Sequence, residues 1–174
     1  LDGSPRPWMP AGIRVIAQRQ GDLGNRLLGA VVDLDGRCLV VGMDTPQLTA
    51  DLIDDGLRAL DGEGCDAVLG PALDGGYWAI GLRRADPRAF DGVPMSQPDT
   101  GRHQRAALDR LGLRVRTLRT LRDVDDHADA VAVAAEAPTT RFARALAELG
   151  PLPSSRDATG SPTRSPTTGT ESRR

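Results

Sequence analysis

Carboxylates grouped without histidine or cysteine neighbours suit a hard cation. Three short acidic segments of this chain qualify: Asp44-Thr45-Pro46, Asp74-Gly75-Gly76 and Asp123-Val124-Asp125-Asp126. Mg²⁺ keeps several of its waters and is commonly held by one or two carboxylates together with substrate phosphates. Asp44 and Asp125 are the pair expected to share one such ion, Mg²⁺ or Mn²⁺. Each has an ordinary alternative: Asp44 can close an Asx turn before Pro46, and Asp125 can cap a helix. Gly75-Gly76 permits positive φ and close approach of a ligand to the backbone, yet Asp-Gly is also a common hairpin turn. Tyr77 and Trp78 follow it, and strand alternation sends one to each face. Core packing is the favoured use for them over flanking a sugar or base.

Other combinations carry less. Ser96, His103 and an aspartate could be strung into a triad, but no G-x-S-x-G elbow is present and the spacing constrains nothing. His103 lies among Arg102, Gln104 and Arg105 and reads as solvated. Arg110, Arg114, Arg116, Arg119 and Arg122 partly match the outer face of a strand, which is preferred to a phosphate-binding stretch. All 22 basic residues are arginine. The chain therefore has no lysine for a Schiff base or a Walker-type loop. Cys38 and Cys65 fit no metal spacing and read as reduced, buried cysteines of a cytoplasmic protein.

The elements that must position these groups are short and alternate in type. Apolar runs at 13–17, 37–43, 66–69, 77–82 and 113–121 read as strands. Helical periodicity covers 23–32, a stretch after Thr49, and 101–111; Asp125 or Asp126 caps a further helix, and Thr139 or Thr140 a last one that stops at Gly150. Strands separated by helices imply crossovers and a mainly parallel sheet, into which the 66–82 pair inserts an antiparallel element. The unbroken apolar run at 37–43 predicts a central strand. In open α/β sheets ligands gather at the carboxyl ends of strands, and each acidic segment follows one.

Composition sets the limits. The chain has 174 residues and a net charge of −2. Residues 151–174 hold five Ser, five Thr, four Pro and four Arg and are expected to be a disordered tail, leaving 1–150 as one folded domain. That domain carries 18 arginines against 22 acidic residues, which weakens any nucleic-acid role. No apolar run approaches a membrane span, and no signal peptide opens the chain, which begins Leu1-Asp2-Gly3-Ser4.

The ordered strings VVGMDTPQLT (40–49), AVLGPALDGGYWAIGLR (67–83) and RDVDD (122–126), with QRQGDLGNRL at 18–27, resemble a bacterial family of GT-A-like transferases. This family was first catalogued as a domain of unknown function and is also called radical-SAM/selenodomain-associated or glycosyltransferase-like. The resemblance covers roughly 8–149. It implies a Rossmann-like three-layer α/β/α sandwich of the nucleotide-diphospho-sugar transferase superfamily, binding its donor through a divalent metal. Carried onto this chain, it places Asp44 and Asp125 at the metal and Asp74 at the sugar or as base. It places Gly75, Gly76, Thr45, Pro46, Asp22, Ser96 and Asp123 among the substrate contacts. Two departures stand out. The glycine-rich A-K-x-P-x-P-G segment of the first βα unit is missing, so the domain reads as N-terminally truncated. Val93-Pro94-Met95-Ser96-Gln97 lacks the tryptophan that relatives often carry beside the serine. The expected activity is glycosyl transfer from a nucleotide-sugar to a small-molecule acceptor. Nucleotidyl transfer to a phosphorylated acceptor, and a non-catalytic remnant of the domain, are the alternatives.

Overall fold

The computed structural model describes residues 12–150 apart from 14 and 35, so the tail at 151–174 and the first 11 residues lie outside the described residues. The order is α1 (Leu23–Leu34), β1 (Cys38–Val41), α2 (Ala50–Asp61), β2 (Ala67–Pro71), β3 (Tyr77–Leu82), a 3₁₀ turn (Pro87–Phe90), α3 (Thr100–Arg110), β4 (Val115–Thr117), α4 (His127–Glu136) and α5 (Arg141–Leu149). Local chemistry sets the helix starts. Asp22 caps α1, its carboxylate accepting from the Asn25 N–H at 2.8 Å, and Thr49 caps α2 by accepting from Leu52 N–H. Of the two candidates at each later helix, Asp126 caps α4 and Thr140 caps α5, which ends at Gly150 with φ +69°.

The four strands form one mixed sheet in the order β1-β3-β2-β4. β3 pairs antiparallel with both β1 and β2, whereas β4 pairs parallel with β2. Three strands, β1, β2 and β4, therefore point the same way, and β3 alone runs against them. Alternation along the strands, interrupted at Trp78 where the β2–β3 register shifts between Gly70 and Pro71, loads both faces. Cys38, Leu69, Ile80 and Leu82 face α1, the 3₁₀ turn and α3, where Val31, Phe90 and Leu108 meet them. Val68, Trp78 and Ala79 face α2, where they meet Ala59 and Leu60. The result is a three-layer α/β/α arrangement. Burying each large apolar side chain contributes about 1.5–3 kcal/mol. Tyr77 and Trp78 go to opposite faces, and Trp78, 2% exposed, is a core residue. Its indole lies where a Cβ on Gly70 would fall, and its Nε1–H donates to the Arg119 carbonyl at 2.9 Å.

Three sequence expectations change. The described residues of 13–17 form no strand: Ile13, Val15 and Ile16 are 56%, 46% and 43% exposed, and no described strand pairs with them. Strand propensity without a ladder partner holds nothing in place. Among the described strands the run at 37–43 lies at the sheet edge, buried at Cys38 but opening to solvent at Val41 and Met43. The central places go to the β2–β3 hairpin, both of whose faces are covered. The run at 113–121 is a strand only over Val115–Thr117, after which it follows β2 irregularly to the bridge between Leu121 and Ala72.

Candidate active site

Because β1, β2 and β4 run in one direction, the loops that leave them emerge at a single edge of the sheet. These are the three acidic segments. Backbone hydrogen bonds tie them together. Leu118 N–H donates to the Leu69 carbonyl, Leu121 N–H to Pro71, and Leu73 N–H back to Leu121, which lays the chain after β4 along the turn that carries Asp74. Val124 N–H donates to the Asp44 carbonyl at 2.9 Å, joining this segment to the loop after β1. The Gln47 side-chain amide donates to the Arg122 carbonyl, immediately before Asp123. Gln47 Oε1 and Thr45 Oγ1 are buried here without a protein partner.

The product of this stitching is a group of three carboxylates. Asp74, Asp123 and Asp125 each offer an oxygen, and these oxygens lie within 4.8 Å of one another. Asp123 is half-buried, whereas Asp74 and Asp125 are exposed. Burial, then repulsion from Asp74, Asp125 and Asp44, pushes the Asp123 carboxyl above the usual carboxylate value. Hard oxygen donors, like charged and partly desolvated, are the set a small divalent cation relieves. Asp44 stands beside the group rather than in it. Its carboxylate folds back over Gly42, where a Cβ would come within 2.8 Å of its Oδ1.

The remaining expected site residues divide by place. Thr45 is buried, Pro46 partly so, both directly behind Asp44. In the β2–β3 turn, Asp74 Oδ1 accepts from the Gly76 N–H at 2.7 Å. Gly75 has φ +92°, and a Cβ there would run into the Pro98 carbonyl oxygen. Asp22 lies apart, at the start of α1, lining a cavity of about 440 Å³ with Asn25, Asp91 and Met95. Ser96 is exposed at φ 57°, next to that cavity. The structure thus gathers Asp74, Asp123 and Asp125 with Asp44 at their side, and leaves Asp22 and Ser96 elsewhere.

Pairing Asp44 with Asp125 understated Asp123. The signal was present, since an Asp-x-Asp in an extended segment puts two carboxylates on one face. Asp126, next along, turns away to cap α4, accepting from the Asp129 N–H at 2.9 Å. Three of the five arginines of the run are in ion pairs: Arg114 with Asp66, Arg116 with Asp55, and Arg122 with Asp129. His103 is partly exposed beside Asp99. Cys38 and Cys65 are both free and buried.

Residues 2–97 match the bacterial protein family described as "Uncharacterized protein conserved in bacteria (DUF2064)". A solved structure from Desulfovibrio desulfuricans G20, described as a "putative nucleotide-diphospho-sugar transferase", is similar at a TM-score of 0.67 and 30% identity. The similarity covers 76% of this chain and 60% of that one, so the chain spans less than two thirds of that protein's length. No curated protein matches the chain. Among the described residues no helix is long and apolar enough to cross a membrane.

Proposed function

The chain belongs to the DUF2064 family of bacterial proteins, and from that premise we propose that it is a metal-dependent nucleotide-diphospho-sugar transferase of the GT-A-like kind. It would move a glycosyl group from its nucleotide donor to a small acceptor and release the nucleoside diphosphate. The observation that carries this reading is the meeting of Asp74, Asp123 and Asp125 at the carboxyl edge of the sheet. The similarity to the Desulfovibrio protein supports the substrate class.

Asp74, Asp123 and Asp125 would hold Mg²⁺ or Mn²⁺, with Asp44 adding negative charge beside them. Such an ion, when bound, neutralises charge on the leaving diphosphate. The chain's own part is positioning, which is worth most when the reacting groups are held at contact distance. The Asp74 carboxylate fixes the turn by accepting from Gly76 N–H, and the absence of a side chain at Gly75 lets the Pro98 carbonyl pack directly against that turn. Thr45 and Gln47 sit behind the group as buried supports, Gln47 through its bond to the Arg122 carbonyl.

Mn²⁺ titrated into ¹⁵N-labelled protein tests the site without requiring turnover. The amides of 74–76 and 123–126 should broaden first, and D123N with D125N should abolish the effect. Unchanged broadening in both variants would remove these residues from the metal. Turnover is then read by its product: free nucleoside diphosphate from a sugar donor supports the proposal, whereas pyrophosphate from a nucleoside triphosphate would identify a nucleotidyltransferase instead.

A further inference from the structure

We propose that the cavity of about 450 Å³ between α3 and the end of β2 binds the acceptor, and that the acceptor is a small organic molecule bearing an oxyanion, either a phosphomonoester or a carboxylate. Naming its occupant the acceptor rests on the transferase reading above; the oxyanion chemistry rests on the cavity alone.

The size falls in the range of small-molecule sites. Its floor is apolar, made by Leu69, Pro71 and Ala72, and suits an organic body. Its charged lining is two arginines, Arg102 and Arg105, against one acid, Asp99. Arg102 pairs with Asp99 and Arg105 with Asp109, so what the cavity offers is two oriented guanidinium groups rather than excess positive charge. The second cavity, beside α1, has the opposite character: Asp22 and Asp91 line it, and no cationic residue does.

Each guanidinium is bonded to an acidic side chain, and the Arg102 side chain remains 74% exposed. Arg102 Nη2 donates to Asp99 Oδ2 at 2.5 Å. Arg105 Nε donates to Asp109 at 2.9 Å, and its Nη1 reaches Thr117 Oγ1 at 3.4 Å, across from the helix to the sheet. A guanidinium has five N–H donors, so each retains donors for a ligand in a planar fork that fits phosphate or carboxylate. Where α3 meets the β2–β3 turn, the lining is backbone packed on backbone. Gly101 N–H donates to the Gly75 carbonyl at 2.9 Å, and a Cβ on Gly101 would come within 2.5 Å of the Gly76 oxygen. The wall therefore exists before any ligand arrives.

Position links the cavity to the acidic group. Gly75 and Gly76 line it, and the Gly76 N–H is 2.7 Å from Asp74 Oδ1. A molecule whose anionic end meets Arg102 and Arg105 lays its body against the turn that carries Asp74. The acidic group and the arginine-lined cavity thus divide the two substrates: a metal-bridged diphosphate on one side of the turn, an oxyanion met by the guanidinium forks on the other.

The experiment is a titration of metal-free ¹⁵N-labelled protein with phenyl phosphate, benzoate and benzyl alcohol, followed at the Gly75, Gly76 and Gly101 amides. Saturable shifts are expected with phenyl phosphate, with benzoate, or with both, which names the anion class. Benzyl alcohol, the neutral counterpart, should bind at least tenfold more weakly. R102Q/R105Q should weaken the anions at least tenfold, and R102K/R105K, which keeps the charge but loses the fork, should fall between. Absence of saturable shifts with either anion would overturn the proposal. So would equal binding of benzyl alcohol, full affinity in R102Q/R105Q, or shifts confined to Gly24 and Asn25. Mn²⁺ broadening at Asp123 and Asp125 is read on separate samples. If it fails while phenyl phosphate binds, the transferase reading falls and the oxyanion site stands; the reverse result removes the site alone.

Discussion

Asp123→Asn removes one charge from the carboxylate group while nearly preserving shape, and its effect should change sign with the metal. At 4.8 Å, two unit charges repel by about 0.9 kcal/mol in bulk water. Physiological salt, with a Debye length of about 8 Å, roughly halves that. Asp123 has two such neighbours in Asp74 and Asp125, and its partial burial lowers the local dielectric. The metal-free protein should therefore gain about 1 kcal/mol on substitution. For a folded domain of this size that raises Tm by about 3 °C. With Mn²⁺ at a hundredfold excess over its Kd, the wild type gains about 2.7 kcal/mol from binding the folded form alone, and the variant loses most of it. The order of melting should invert: D123N above wild type in EDTA, below it in Mn²⁺. Circular dichroism melts at pH 7 and 0.15 M NaCl measure both. A variant that melts no higher than wild type in EDTA, or that keeps the whole Mn²⁺ shift, refutes the clustering of charge on which the site depends.

Three further outcomes can be checked. Tyr77 is the single tyrosine of the chain, and burial pushes its phenol up to about 12, so ultraviolet titration at 295 nm should find no ionisation near the usual value of about 10; a midpoint near 10 would mean that the ring is exposed. The Arg114 guanidinium, bonded to Asp66 through Nε and Nη2, holds that carboxyl well below its ordinary value. The native state then binds fewer protons than the unfolded one, so the stability from this pair is present above the usual carboxylate range and is lost as pH falls through it toward the depressed value. D66N should melt below wild type at pH 7, with the gap closing in acid; a gap that is constant with pH would exclude the ion pair as its source. Gly75→Ala must place a side chain at φ +92° against the Pro98 carbonyl, and urea unfolding should report a loss of about 3 kcal/mol; a loss under about 1 kcal/mol would show that the turn can relax.

Most of this architecture is written in local signals. Thr49 and Asp126 announce their helices, Gly150 ends the last described one, and strand alternation sends Tyr77 and Trp78 to opposite faces. What local patterns do not encode is neighbourhood. The run at 37–43 is as apolar as a central strand, yet its place depends on β3 inserting between β1 and β2, a long-range choice. Residues 13–17 have strand composition but no described partner. The same holds at the site. That Asp44, Asp74 and Asp123 follow strands is visible residue by residue; that Asp123 rather than Asp44 completes the close group depends on the chain after β4 hugging β2, set by hydrogen bonds between residues some 50 positions apart. The cavity beside α3 gave no sequence signal, because Arg102 and Arg105 figured there only as the polar neighbours of a solvated His103.

The β2–β3 hairpin has a consequence in time. Its strands are adjacent in sequence, so their pairing closes a short loop, whereas β1 must wait for β3 and β4 must reach back past α3. Loop-closure entropy favours the hairpin as the first part of the sheet to persist. On a ribosome, Asp74 is then in place at the hairpin tip well before Asp123 and Asp125 leave the exit tunnel. The last segment to dock is the one that brings like charges together, so the nascent chain meets its electrostatic cost only after the covered core is there to bear it. A cation that arrives with that segment would pull it home, and its absence would leave the final loop the first to let go.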